Sequence, residues 1–394
     1  MDADKKHNMK KQAGTVVLAA GGTGGHIFPA QALAEAVQAQ GLRAVLVTDR
    51  RFARYAEGVE GLEIKIIRSG SLSGGTVKRV LNLGNILLGT LQARRLLKKL
   101  NPVAVVGFGG YPSFPTMLAA TQLKCYTIIH EQNSVLGRAN RFLAKYVSAI
   151  ATSFDRVSHV PEEAQAKLVF TGNPVRRAIR SLHDVPYPSL SADGRMHLLV
   201  MGGSQGATVF SNVVPEALRL LPAPLRARLW VDQQCRAADI DKVRRTYDEL
   251  GVNANLATFF SDVPARLASA HLTITRAGAS TVAEVLTAGR PAILVPYPAA
   301  MDDHQTFNAN TVEDAGGGWL MPEDGFTPQA LSNKLEHFLN LPSALEVAAV
   351  NARAAGHPDA AERLAELVLK PRKHKPQHKE DVIASHLQQK DYAA

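Results

Sequence analysis

The stretch VVLAAGGTGGHIFPAQALAEAV, Val16 to Val37, sets an apolar run before four glycines around a threonine, then a histidine, then an apolar-periodic segment. Val16 to Ala20 reads as a buried strand. Pro29 suits the first turn of a helix, and Gly41 stands where a C-cap glycine would close it. The unit is therefore strand, glycine loop, helix, with His26 expected in the loop just ahead of the helix. Such a loop lets the backbone approach a ligand closely, and a helix N-terminus offers free N–H groups to an anion. A tight turn with an exposed histidine gives the same local pattern, so the rest of the chain must decide.

The pattern recurs. Apolar runs alternate with helical segments throughout: TVVLAA, RAVLVT, EIKIIR, VAVVGF, CYTIIH and KLVFTG in the first half, HLLVMG, ARLWVD, LATFF, HLTIT and PAILVPY in the second. Alternation of this kind predicts an α/β fold of parallel sheets covered by helices on both faces. The stretch LLVMGGSQGATVF, Leu198 to Phe210, repeats the plan of the first glycine loop. Two Rossmann-like domains are expected to face one another across a cleft, with ligands at the carboxyl ends of their strands. The boundaries follow: a flexible N-terminus over 1–13, a first domain over 14–180, a linker rich in proline, serine and glycine over 181–195, and a second domain over 196–353. A C-terminal helix over 354–370 is expected to return to the first domain, and a basic flexible tail occupies 371–394.

Composition narrows the class. At 394 residues, 46% apolar and 20% charged, the chain is long enough for two cores and ordinary for a globular protein. Cys125 and Cys235 form no metal-ligand or disulfide pattern. The polar first residues lack the apolar core of a signal peptide, and no apolar run nears the ~20 residues that span a bilayer. A cytoplasmic protein is expected. The net charge of +10 is uneven: between Ile64 and His130 lie nine Lys or Arg and no Asp or Glu. That excess points to an anionic partner, nucleic acid or a membrane surface. Nucleic acid is disfavoured, because no aromatic residue stands between Ile64 and Lys99 to stack on bases.

Neither glycine loop fits a nucleotide fingerprint. G-x-G-x-x-G counted from Gly22 requires glycine where Ile27 stands, and no P-loop pattern occurs. Asp49, at the end of the second strand, keeps a dinucleotide oxidoreductase as a rival. Further polar clusters fall at strand ends: GFGGYPSFP (Gly107 to Pro115), HEQN (His130 to Asn133), TGNPVRR (Thr171 to Arg177), TRAGASTVAE (Thr275 to Glu284) and PYPAAMDDHQTFNAN (Pro296 to Asn310). One such cluster is turn chemistry. Their repetition at the same sheet edges predicts a functional cleft.

The ordered set GGTGGH, GFGGYPS, HEQN, GNPVR, GGSQGA, RAGASTVAE and HQTFNA closely resembles the MurG family, of glycosyltransferase family 28 type, from about Gly14 to Leu369. The resemblance implies a GT-B fold and an inverting enzyme that moves GlcNAc from UDP-GlcNAc to the C4 hydroxyl of the muramoyl-pentapeptide sugar of undecaprenyl-diphosphate-linked lipid I, forming lipid II. It implies no cofactor and no bound catalytic metal. By resemblance, donor contacts fall on Thr23, Gly24, Gly25, Asn133, Arg176, Ser204, Phe260, the turn Ala279, Ser280, Thr281, Val282, Ala283 and Glu284, and Gln305. Gly22, Gly109, Gly110, Tyr111 and Ser113 are candidates for the acceptor diphosphate. His26 and Glu131 both remain candidate catalytic bases. Phe114 and His304 depart from the commoner family pattern. A UDP-GlcNAc 2-epimerase or a diacylglycerol glycosyltransferase is the alternative enzyme.

A lipid-linked acceptor gives the basic stretch a purpose. Val77, Val80, Leu87 and Leu91 form a helical stripe expected to pack on the sheet, with Leu83 and Ile86 off it on a second apolar face. Lys78 and Arg79 precede this patch; Arg94, Arg95, Lys98 and Lys99 follow it. Peripheral docking on an anionic membrane is expected, at the cytoplasmic face of the inner membrane. Other cell-wall synthesis or division proteins are further candidate partners.

Overall fold

The computed structural model describes residues 14–21, 24–50, 61–70, 76–191, 193–203 and 206–370, with backbone alone over 76–80. Gly22, Thr23, Ser204 and the side chains of Lys78 and Arg79 lie outside the described residues, as do 1–13 and 371–394.

Strands β1 (Thr15–Ala20), β2 (Arg43–Thr48), β3 (Glu63–Ile66), β4 (Ala104–Gly109), β5 (Thr127–Glu131), β6 (Ala149–Thr152) and β7 (Leu168–Phe170) form a parallel sheet in the order β3-β2-β1-β4-β5-β6-β7. Helices α1 (Gly24–Ala39), α2 (Thr76–Leu100), α3 (Ser113–Gln122), α4 (Arg138–Ala144) and the short α5 (Arg177–Arg180) accompany it. Every residue of β1 is buried. Val16 and Leu18 join a cluster with Ile27, Leu33 and Val37 of α1, while Val17 joins Ala93, Leu97 and Met117 on the opposite face. Burial on both faces is why β1 is an unbroken apolar run, each Val or Leu contributing about 1.5–3 kcal/mol.

The second sheet holds β8 (Met196–Met201), β9 (Leu229–Gln234), β10 (Asn253–Ala257), β11 (Leu272–Thr275), β12 (Ala292–Leu294) and β13 (Gly318–Leu320), again parallel, in the order β10-β9-β8-β11-β12-β13. Its helices are α6 (Thr208–Leu220), α7 (Ala223–Arg226), α8 (Ile240–Leu250), α9 (Val263–Ser269), α10 (Ala279–Thr287), α11 (His304–Asp314), α12 (Pro328–Asn340) and α13 (Ser343–Ala354). The last helix, α14 (Ala360–Leu369), buries Leu364, Ala365, Leu367 and Val368 in the α1 cluster of the first sheet. Strand order reverses between β1 and β4 and between β8 and β11, and the glycine loops follow β1 and β8 at these switch points.

Two expectations are corrected. Helix α1 begins at Gly24, so His26 lies in its first turn and Pro29 lies inside it. Proline cannot donate to the carbonyl four residues back, that of Gly25. That carbonyl instead accepts from Ser280 Oγ at 3.1 Å, across the domain boundary. The phase of α2 is also turned. Ile86 is buried with Ala93 and Leu97, whereas Leu83, Leu87 and Leu91 are about half exposed or more, at 52%, 60% and 52%. Ile86 is therefore no part of an outward face, and Leu87 and Leu91 do not pack on the sheet. Gly89 fixes this phase: a Cβ there would stand 2.0 Å from the Arg68 carbonyl oxygen, so the helix approaches the chain after β3 on that side. Among the described residues, no helix is long and apolar enough to cross a membrane.

Candidate active site at the interdomain cleft

His26, carried by the first turn of α1, faces the end of β5. Its Nδ1 lies 3.2 Å from Gln132 Oε1. Gln132 Nε2 donates to the Phe108 carbonyl at 2.9 Å and lies 3.1 Å from both the carbonyl and Nδ1 of His130. His130 is fully buried, with Nε2 3.1 Å from the Gly172 carbonyl. Loss of water around the His26 ring holds its pKa below the ordinary value. Gln132, the Glu131 charge and the Phe108 carbonyl pull it back up, and His304 adds to the lowering. Burial brings His130 down to about 4. Gly109 and Gly110, at φ +97° and +78°, let the neighbouring loop close on this turn. A Cβ on Gly110 would stand 1.9 Å from the Gly21 carbonyl oxygen, and one on Gly109 would press on the His26 ring at 3.0 Å.

Glu131, the other candidate base, is differently placed. It is buried, and both carboxylate oxygens accept hydrogen bonds: Oε1 from the backbone N–H and side-chain amide of Asn133 at 3.1 and 3.3 Å, Oε2 from Gly137 N–H at 2.9 Å and Asn140 Nδ2 at 2.8 Å. The carboxylate pins the loop from Glu131 to the start of α4. Tyr111 is 42% exposed at the adjacent loop, while Ser113 is buried at the start of α3.

The second domain reaches into the same loop. Asn308 of α11 has no exposed surface; its Oδ1 accepts from Ser134 N–H and Oγ, both at 3.0 Å, and its Nδ2 donates to Asn133 Oδ1 and the Ala277 carbonyl, both at 3.1 Å. Arg141 and Arg138 also pair with Asp302 across the boundary, the latter at 3.5 Å. On the donor side, Arg176 Nη2 donates to Glu284 Oε1 at 2.8 Å and its guanidinium stacks on Phe28 at 4.4 Å. The two residues, read from sequence as separate contacts, form one interdomain ion pair. Burial raises the Glu284 pKa, and Arg176 draws it back.

Gln305 Oε1 accepts from the N–H groups of Ala277 and Tyr297 at 3.2 and 3.0 Å, which turns its amide NH2 into the available donor. Phe260 is buried beneath Arg266, 4.0 Å from its ring. In the turn opening α10, Ala279 and Val282 belong to the core, while Ser280, Thr281 and Ala283 are partly exposed. Gly24 and Gly25 are partly exposed at the start of α1. Gln132 was not singled out from sequence, although it lies inside the HEQN motif; a polar amide at a buried strand end is the signal that could have marked it.

Two parallel sheets whose carboxyl ends meet at one cleft define the GT-B fold, and the family comparisons give its class as a glycosyltransferase. The N-terminal domain model of glycosyltransferase family 28 matches residues 16–152 and the C-terminal domain model matches 197–364. A Paramagnetospirillum magneticum UDP-N-acetylglucosamine–N-acetylmuramyl-(pentapeptide) pyrophosphoryl-undecaprenol N-acetylglucosamine transferase is 53% identical over 365 residues, 92% of this chain and 98% of the relative. Its Rhodospirillum centenum counterpart is 52% identical over 354 residues, 90% and 93% of the two chains. The crystal structure of Acinetobacter baumannii MurG superposes with a TM-score of 0.72 at 31% identity, covering 91% of this chain and all of that one. The chain belongs to this family of N-acetylglucosamine transferases, within glycosyltransferase family 28.

Proposed function

We propose that this chain transfers GlcNAc from UDP-GlcNAc to the C4 hydroxyl of the N-acetylmuramyl-pentapeptide carried on undecaprenyl diphosphate, converting lipid I to lipid II and releasing UDP. What carries the reading is identity of about half, over nearly full length, to transferases named for these substrates. The cleft chemistry suits it. His26 takes the proton of the acceptor hydroxyl, and the freed oxygen pair attacks the anomeric carbon. The bond from that carbon to the UDP oxygen breaks with its electron pair on UDP, inverting the centre. Glu131, with both oxygens already accepting, is read as the post of the loop rather than the base.

On the donor side, both Arg176 contacts fall on Oε1 of Glu284, which leaves Oε2 to accept from ribose hydroxyls. Ser204 and the glycine-loop amides ahead of α6 hold the diphosphate, whose charge grows as UDP departs. In this reading those groups carry the leaving charge without a resident metal, and turnover that persists in a chelator checks it.

The acceptor comes from a membrane. The exposed face of α2 carries Leu81, Leu83, Leu87, Leu88 and Leu91. At 100° per residue, Arg94, Arg95, Lys98 and Lys99 continue the same arc. This face is read as the surface that lies on an anionic leaflet at the cytoplasmic side. The test of the whole reading is incubation with labelled UDP-GlcNAc and a lipid I analogue. Label is expected in the muramyl product; UDP release with no need of the acceptor would instead favour an epimerase or hydrolase.

A further inference from the structure

The polar chain behind His26 has a direction. It starts at the Gly172 carbonyl, which can only accept. His130 Nε2, 3.1 Å away, therefore carries the proton of that ring, and its Nδ1 is an acceptor. Gln132 places one amide atom within 3.1 Å of two further acceptors, the Phe108 and His130 carbonyls, as well as of His130 Nδ1. That atom must be the NH2 nitrogen; a flipped amide would set oxygen against oxygen twice. The other atom is then Oε1, and it lies 3.2 Å from His26 Nδ1. An amide oxygen only accepts, so His26 Nδ1 donates.

We infer that Gln132 is a positioning residue that fixes His26 as its Nδ1–H tautomer, so that Nε2 presents its lone pair to the acceptor hydroxyl. The inference deepens the proposed role of His26 as base and rests on it. A neutral free histidine side chain favours the opposite tautomer, with the proton on Nε2, which could not accept a second one there. Gly172, His130 and Gln132 together supply the fixed reference that free histidine lacks, and each link polarises the next. The other titratable groups acting on His26 leave this arrangement in place. Glu131 raises its proton affinity and His304 lowers it, while His26 in turn lowers that of His130. Neither Glu131 nor His304 bonds the ring.

The direct measurement is a long-range ¹H–¹⁵N correlation on the full chain labelled with [¹⁵N]histidine, with the His26 signals identified by their loss in His26→Ala. The wild type is expected to show a protonated Nδ1 and a bare Nε2 at neutral pH. In Gln132→Leu, and in the more closely shaped Gln132→Met, the Nδ1–H form should lose its dominance. Turnover should then fall about tenfold or more with the KM for UDP-GlcNAc nearly unchanged, as for a base left in the wrong tautomer. A wild-type His26 protonated on Nε2 would overturn the inference, and so would Gln132 variants that keep the Nδ1–H form. Near-normal turnover in His26→Ala would overturn the base itself, a failure separate from that of the tautomer.

Discussion

Arg176 and Glu284 meet across the domain boundary, with Nη2 at 2.8 Å and Nε at 3.3 Å from the same carboxylate oxygen, Oε1. The pair joins the GNPVR loop of the first domain to the α10 helix of the second, so the ribose site of the account exists only when the domains are together. Glu284→Ala should weaken UDP-GlcNAc binding by about 1.5–3 kcal/mol, the scale of hydrogen bonds to a charged group. A 2′-deoxyuridine donor should lose much less in that variant than in the wild type, as titration calorimetry would read. Equal losses in both proteins would separate Glu284 from the ribose. Arg176→Ala removes the group that draws the Glu284 pKa down, so donor binding should begin to fail at a higher pH as the solution is acidified.

His26 gives the account its pH dependence. A general base must be neutral, and burial of this ring lowers its pKa from 6.5. The acid limb of kcat should therefore have its midpoint below 6.5, with turnover lost as pH falls through it. A limb above 6.5 would contradict the assignment. His26→Ala should reduce kcat by about 10²-fold or more, with donor affinity little changed.

Asn308 is the second tie between domains. Asn308→Ala leaves Ser134 N–H, the Asn133 amide oxygen and the Ala277 carbonyl without this partner in a buried place. The expected cost is about 1–3 kcal/mol for a buried group left unsatisfied. Because Asn133 is one of the donor contacts of the account, UDP-GlcNAc should bind more weakly as well. Asn308→Asp should be worse, since it sets a carboxylate oxygen against Asn133 Oδ1 and the Ala277 carbonyl. Calorimetric unfolding with and without UDP-GlcNAc reads both effects; an Asp variant as stable as wild type would contradict the tie.

The α2 face predicts salt-sensitive membrane binding. Replacing Arg94, Arg95, Lys98 and Lys99 by Gln should weaken sedimentation with anionic vesicles, each charge contributing about 1 kcal/mol before screening. Activity on a soluble short-chain acceptor should be largely retained. Vesicle binding indifferent to both salt and these changes would remove this face from the account.

The alternation of strands and helices was legible because strands buried on both faces are continuous apolar runs. β13 does not stand out that way, because it opens on the last of three glycines and Pro322 closes the apolar run after Met321. The outward turn of α2 was not legible. Its charge-free middle sets its leucines on one arc, which reads from sequence as a face for the sheet, and the contact that fixes its phase, Gly89 against Arg68, belongs to the folded chain. Pro29 misled for a related reason. A proline is tolerated in the sixth position of α1 because the carbonyl it leaves free is bonded by Ser280, 255 residues away. The site motifs could be quoted from sequence, but not the pairing of Arg176 with Glu284 or the occupation of both Glu131 oxygens, because those depend on how two domains meet.

The most direct test of the central claim is the structure of the product formed from UDP-GlcNAc and a lipid I analogue. NMR of the isolated product should show one GlcNAc joined to the muramyl C4 oxygen with the β anomeric configuration, inverted from the α-linked donor. An α linkage, attachment at another hydroxyl, or GlcNAc released to water with the muramyl sugar unchanged would contradict it.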